Sequence, residues 1–371
     1  ELPYMPTMKD RIRGSVLGQA LGDALGAPFE FAPPGAVREA TGKDWIEGLC
    51  AFTGKPGPHG PWVSPAPAGT GTDDVRYNRL FIDMVVELGG RMPEDVDLAR
   101  LLLDVYERPG EYFPGFEELG RGQFEMFEGV SRGWLGQTSA LLPGIPPAIL
   151  ATRSVGLNYP TMAGLLVMPS AGLLFPQDPE AAYRAAYAAA FFDVAYAREA
   201  TAVFAAAQSL ALAGAPAEET VEAALEMDPL QLGGYFGGPY IKDNLPALLA
   251  RARGRQGREL AAWLTTELRH FSAFDPYRAL AIVFASLLAH VDEPLMVLQV
   301  AVNHVDRDDD GVVRRYADID CYAGIAGALV GTLFGDSALP ADMLEQVIES
   351  NRAVYGIDLE EVARRLADLG P

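Results

Sequence analysis

The sequence predicts an all-α fold, a compact orthogonal multi-helix bundle, on three observations. Apolar residues recur at three- and four-residue intervals over most of the chain. Alternation of Val, Ile and Thr, the mark of a half-buried strand, never persists beyond a few residues. The stretch from Glu180 to Ala213 is rich in alanine, the residue of highest intrinsic helix propensity. With 371 residues, 49% of them hydrophobic, the chain can bury a large core, and a single domain over 1–371 is the expected organisation.

Taken in order, residues 8–27 place Ile12, Val16, Ala20 and Ala24 at helical spacing, with Gly14, Gly18 and Gly22 in a second row four apart. Such a row of small residues lets another helix approach closely. Residues 32–70 are rich in Gly and Pro, as in GKPGPHGPW, and are expected to form a long loop. Helices are expected over 73–89, 94–107 and 117–130, then an irregular stretch to residue 178. Residues 179–213 read as two long buried helices with a break around Phe192 and Asp193, followed by a helix over 216–226. The Gly-rich QLGGYFGGPY at 231–240 lacks the strand–loop–helix context of a nucleotide cradle, so it is expected to turn the chain, with Tyr235, Phe236 and Tyr240 in core or rim packing. Further helices are expected over 257–270, 276–291, 294–303, 318–334, 341–353 and 358–369, with an irregular segment over 304–317.

A formal charge of −21, with no Lys/Arg-rich run to offset it, repels nucleic acid and anionic membranes. An anionic nucleotide substrate stays compatible with that field if bound divalent cations reverse it locally. Two cysteines, Cys50 and Cys321, are too few for a disulfide framework and fit a reducing cytosol, although one bridge between them is open to the sequence. The N-terminal ELPYMPTMKDRIRG has no apolar signal core, and no run reaches the ~18 apolar residues that span a bilayer. A soluble, cytoplasmic protein is expected. The four histidines show no HxxH or HxxxH spacing, which argues against zinc, and His304 is expected to face solvent.

Two acidic motifs carry the chemistry. GTGTDD at 69–74 directly precedes a helical pattern, so Thr72 suits the N-cap, and Asp73 and Asp74 fall in the first turn, where the helix dipole favours negative charge. A well-capped helix is one reading; hydroxyl and carboxylate oxygens converging on a hard cation is the other. The second motif sets Asp318 and Asp320 at the opening of a Gly/Ala-rich helix. Carboxylates beside tightly packed apolar helices are costly unless a cation or proton compensates them. DRDDDG at 306–311 lacks the twelfth-position glutamate of a calcium loop and reads as a solvated acidic loop.

Together these pieces resemble the ADP-ribosylglycohydrolase family, which includes the dinitrogenase-reductase-activating glycohydrolases and the ADP-ribosylhydrolases. RIRGSVLGQALGDALGAPFEF at 11–31 is similar to the family's opening helix, its Gly-Asp-Ala-Leu-Gly-Ala signature and a following glutamate, here Glu30. GTDD at 71–74 resembles the first metal motif, and DIDCYAGIAGALVGTLFG at 318–335 the second. AGLLFPQDPEAAYRAAYAAA at 171–190 is similar to a segment of the larger bacterial members. The resemblance implies a dinuclear magnesium site at the centre of the bundle, with manganese as a substitute, and hydrolysis at the anomeric carbon of a ribose. It implies Thr72, Asp73, Asp74, Asp318 and Asp320 as ligands, Cys321 in the metal site beside them without a strong bond to either ion, and a catalytic set drawn from Glu30, Asp73, Asp74 and Asp320.

Three departures qualify that likeness. Cys321 stands where most members have Ser or Thr, and a thiol is a poor magnesium ligand. Val75 replaces a frequent threonine. The mid-chain Asn-Gly…Met-Arg motif and the later Thr-His pair, which help to hold the nucleotide part of the substrate in relatives, have only NYPTMAG at 158–164 and FFDVAYARE at 191–199 as counterparts. The expected substrate is therefore an ADP-ribosylated protein or a small ribosyl conjugate, with a nucleoside-like or NAD-derived metabolite as the second enzymatic reading. A silent ADP-ribose-binding protein is the third, and retention of both costly carboxylate motifs argues against it. Oligomeric state is left open.

Overall fold

The glycine row of the first helix finds its partner at the far end of the chain. In the computed structural model, which describes residues 5–152, 159–232 and 239–370, the Met8–Gly26 helix packs antiparallel on the Ile319–Phe334 helix. Gly14, Gly18 and Gly22 face Gly331, Gly327 and Ala323 in turn, and a Cβ on any of the three would strike the opposing backbone. Gly26 lies against the backbone of Asp320 in the same way. Backbones this close require small residues on both helices, and both sequences supply them. The first helix starts at Thr7, whose side chain accepts the Asp10 amide at 3.3 Å while the Asp10 carboxylate accepts the Thr7 amide at 2.8 Å. Arg11, buried, donates to the Ala211 and Thr332 carbonyls and so satisfies acceptors near the last turns of two helices.

Among the described residues there are eighteen α-helices, two short 3-10 segments and a single two-stranded sheet. Every helix expected from the periodicity is present. The alanine-rich stretch divides as expected into Pro179–Ala189 and Tyr196–Leu212, with Phe192 and Asp193 in the break. The second of these is buried almost all round, since alanines on every face admit close neighbours. Residues 51–71 hold no helix, as their Gly and Pro content predicts.

The differences lie where periodicity is weak or too brief. No helix is expected between 240 and 257, yet Tyr240–Ala252 is one, with Pro246 in its interior. Ile241, Leu245, Leu248, Leu249 and Ala252 nevertheless share one buried face, and that burial outweighs the lost hydrogen bond. Ala36–Thr41, Pro109–Tyr112, Pro147–Leu150 and Ala163–Val167 are helices of at most six residues, too short to show a period. The segment 304–317, expected to be irregular, forms an antiparallel hairpin of Val305–Arg307 with Val313–Tyr316. Its acidic residues are not simply solvated: Asp306 pairs with the buried Arg278 at 2.8 Å and with Arg315 at 3.1 Å. Cys50 and Cys321 are both free thiols. No helix among the described residues is long and apolar enough to cross a membrane.

Candidate active site

The Asp73–Glu87 helix begins in the interior, so its free amides need buried acceptors. Thr72 is the N-cap, and its hydroxyl accepts the Asp74 amide at 3.4 Å. A second acceptor comes from the last turns of the first helix. The Asp23 carboxylate takes the Thr72 amide at 2.9 Å and the Val75 amide at 3.1 Å, so it fastens the Asp73 helix to the glycine-packed pair. Burial, then the nearby charge of Asp320, pushes the Asp23 carboxyl up to about 8.

The Gly/Pro-rich loop contributes the next group. His59 Nδ1 lies 2.8 Å from Asp73 Oδ2, and the Asp73 amide donates to the His59 carbonyl at 3.0 Å. Burial opposes the charged imidazolium, but the hydrogen bond to Asp73 and its charge outweigh that and raise the His59 pKa. Arg76 pins this loop from beneath. Its fully buried guanidinium lies 3.9 Å from the Trp62 ring centroid and 5.1 Å from that of Tyr355. It donates to the carbonyls of Pro58 at 3.1 Å, His59 at 3.4 Å and Gly60 at 3.0 Å, and to Gln123 Oε1 at 2.8 Å.

The close approach of the first and Ile319–Phe334 helices brings the second motif to the first. Ligand atoms of Asp318, Asp320 and Cys321 lie within 4.8 Å of one another, all three residues buried. Cys321 Sγ donates to Asp74 Oδ1 at 3.5 Å, joining the motifs across 247 positions. Neither oxygen of Asp320 has a hydrogen-bond partner of good geometry, although the Cys321 amide and Thr72 are near enough to favour its ionised form. Burial, then Asp73, pushes Asp320 up to about 7. Burial and the neighbouring carboxylates hold Asp74 and Asp318 well above the ordinary range, and Glu30, which follows the first helix, is raised by burial, then Asp320 and Asp318.

This donor set fits a hard cation. Buried carboxylate oxygens without partners, held among other carboxylates, are stable only when protons or a cation neutralise them. Oxygen ligands predominate and the single sulfur is already engaged with Asp74, which favours magnesium-like ions over soft metals. Beside the cluster opens a cavity of about 230 Å³. Its lining combines Glu30, His59, Asp73, Asp318 and Cys321 with the apolar Tyr77, Met126, Phe127, Met162, Leu166 and Phe274, and with Thr161 and Ala163.

All six metal-site residues expected from sequence, and Glu30, therefore gather in one region. Three contributors were missed. Asp23 sits inside the Gly-Asp-Ala-Leu-Gly-Ala run but was read only as helix, because its target amides belong to a distant segment. His59 carried no spacing signal, since its partner lies fourteen positions on at a helix start. Asp193 figured only as a helix break; its Oδ2 accepts the Gly164 amide at 2.9 Å and its Oδ1 the Thr161 hydroxyl at 3.4 Å. The two stretches that replace the family's mid-chain motifs thus meet at the cavity wall. His304 is a correction: it is fully buried, bonded to the Thr265 hydroxyl at 3.0 Å, and burial lowers its pKa to about 3. Tyr235 and Phe236 lie outside the described residues, and Tyr240 stacks on Tyr196 with centroids 4.5 Å apart.

Comparison with known proteins bears on the same region. A family model described as ADP-ribosylglycohydrolase matches residues 5–371. A solved structure described as "ADP-ribosylglycohydrolase-related protein complex" superposes with a TM-score of 0.62 at 19% identity, covering 99% of this chain and 100% of that one. At that identity the likeness speaks to the fold. No curated protein matches the sequence.

Proposed function

The chain belongs to the ADP-ribosylglycohydrolase family, and from that premise we propose that it is a magnesium-dependent hydrolase of the glycosidic bond at the anomeric carbon of an ADP-ribosyl or related ribosyl compound. The observation that carries this reading is the pair of buried Asp320 oxygens without hydrogen-bond partners, among Asp318, Cys321 and Asp74 and beside a cavity of about 230 Å³. Thr72, Asp73, Asp74, Asp318 and Asp320 would hold two magnesium ions, with manganese able to replace them. When bound, such ions fix ribose hydroxyls and lower the pKa of a coordinated water.

The residues supply the rest. Cleavage at ribose passes through an oxocarbenium-like transition state, so the leaving group needs a proton and the anomeric carbon a nearby oxygen nucleophile. Glu30 faces the cavity with its carboxyl raised chiefly by burial, a cause that persists when cations neutralise its neighbours. It is suited to carry a proton to the departing atom and to recover one from water. Asp73, oriented by His59, and Asp74, oriented by Cys321, act as ligands with fixed carboxylate planes.

The test is release of free ribosyl product from a panel of ribosyl conjugates, ADP-ribosyl-arginine among them, in magnesium, manganese and EDTA. Cation-dependent turnover is expected. Asp74→Ala and Asp318→Ala should each reduce kcat by more than about tenfold, or ~1.4 kcal/mol, with helical circular dichroism retained. Turnover unaffected by EDTA would overturn the reading.

A further inference from the structure

The apolar part of the cavity lining offers almost nothing to an anion. Among the described residues that line the cavity there is no lysine or arginine, and the histidine in the lining, His59, is already bonded to Asp73. The polar atoms of that wall are occupied elsewhere: the Tyr77 hydroxyl donates to the Gln123 carbonyl at 3.1 Å and the Thr161 hydroxyl to Asp193 at 3.4 Å. What these residues offer is aromatic and aliphatic surface. The rings are also fixed. Phe127 packs edge-on to Tyr77 at 5.9 Å and to Phe192 at 5.2 Å, and Phe274 edge-on to Phe31 at 5.5 Å. A cavity of about 230 Å³ is smaller than the ~300–1,000 Å³ that usually receives a drug-sized ligand.

From this we infer that the ribosyl compound cleaved here is a small riboside without a pyrophosphate, whose aglycone is an uncharged aromatic ring seated against Phe127, Met162 and Phe274. The inference rests on the glycosidase reading above and narrows its substrate class. A flat neutral ring gains from packing against the fixed aromatic side chains and the thioether. A pyrophosphate against the same apolar side chains would be desolvated without a cationic partner. In the reaction the oxygen of water bonds to the anomeric carbon while the bond to the aglycone breaks. Its electron pair leaves with the aglycone, which takes the proton carried by Glu30, and the proton lost by water returns to the carboxylate.

The experiment compares the full chain, in magnesium, on 4-nitrophenyl riboside of both anomers, methyl riboside and ADP-ribosyl-arginine. The nitrophenyl riboside should show kcat/KM at least tenfold above ADP-ribosyl-arginine. Phe274→Ala should raise KM for the nitrophenyl riboside about tenfold more than it raises KM for methyl riboside, which has no ring, and an equal rise for both would overturn the ring-seating role. Equal or better turnover of ADP-ribosyl-arginine would overturn the inference while leaving the glycosidase reading intact. Absence of turnover on all of them would reject the glycosidase reading itself. Ligand preference is then decided by calorimetry with adenosine and ADP-ribose. Tighter adenosine binding upholds the neutral-ring pocket, and tighter ADP-ribose binding overturns it.

Discussion

Cys321 shows how a single side chain divides a site. Its thiol is buried among four carboxylates yet spends its hydrogen on Asp74 Oδ1 at 3.5 Å. A hard cation prefers oxygen, so a thiol here should leave one coordination position to water or to a neighbouring carboxylate. Cys321→Ser is expected to tighten magnesium binding several-fold, and Cys321→Ala to change it little. Calorimetric titration decides the matter, because equal affinities for the two variants would remove position 321 from the site. Asp193 offers a second test, one that reads protonation instead of metal. Burial, against weaker help from Gly164 and Thr161, pushes its carboxyl up to about 7 from 3.8. Between those values the folded state holds a proton that the unfolded chain has lost, so the contribution of Asp193 to stability falls as pH rises from about 4 to about 7 and is level above. Asp193→Asn should make that part of the profile less steep, leaving the slope that Glu199, Asp23 and Asp320 contribute. Melting curves of both proteins in EDTA across the window check it, and parallel profiles would refute the assignment.

At the scale of elements, the Met8–Gly26 and Ile319–Phe334 helices set the geometry of the site. Their approach is limited only by backbone, so an added methyl has no space and must part the helices. Gly22→Ala, opposite the Ala323 carbonyl, is expected to cost about 1–3 kcal/mol or more and to weaken cation binding, because it displaces the start of the helix that carries Asp320. Gly57→Ala is the matched control, with nothing within 4 Å of the added carbon. If both variants melted alike, the glycine row would not be what holds the pair together. Most of this contact is legible in the primary structure: the row at Gly14, Gly18 and Gly22 announces a close partner. Which helix answers it is not, since several stretches of the chain are rich in small residues.

For the whole molecule, the cluster joins residues some 245 positions apart, and a net charge of −21 raises the cost of bringing more carboxylates together. A cation that binds only the folded chain stabilises it by mass action, about 2.7 kcal/mol at a hundredfold excess over its dissociation constant. We propose that 1–371 melts as one unit whose midpoint falls in EDTA and rises with added magnesium. A melt indifferent to both would remove the cation from the folded state. Two transitions, only one of them responsive to magnesium, would divide the chain into separate units.

The sequence by itself determined the helical class, the order of the long helices and the two acidic motifs. Those signals are local: a period of 3.6 residues, a cap followed by carboxylates, a row of small residues. Tertiary structure alone decided what each motif faces. The Asp23 carboxylate became a cap for a helix it does not belong to, His59 met Asp73 because Arg76 holds its loop, and Pro246 was carried inside a helix by burial on one face. The wall of Phe127, Met162 and Phe274 comes from three separate segments. Contacts between distant segments depend on how the helices pack, and no local pattern in the chain encodes that.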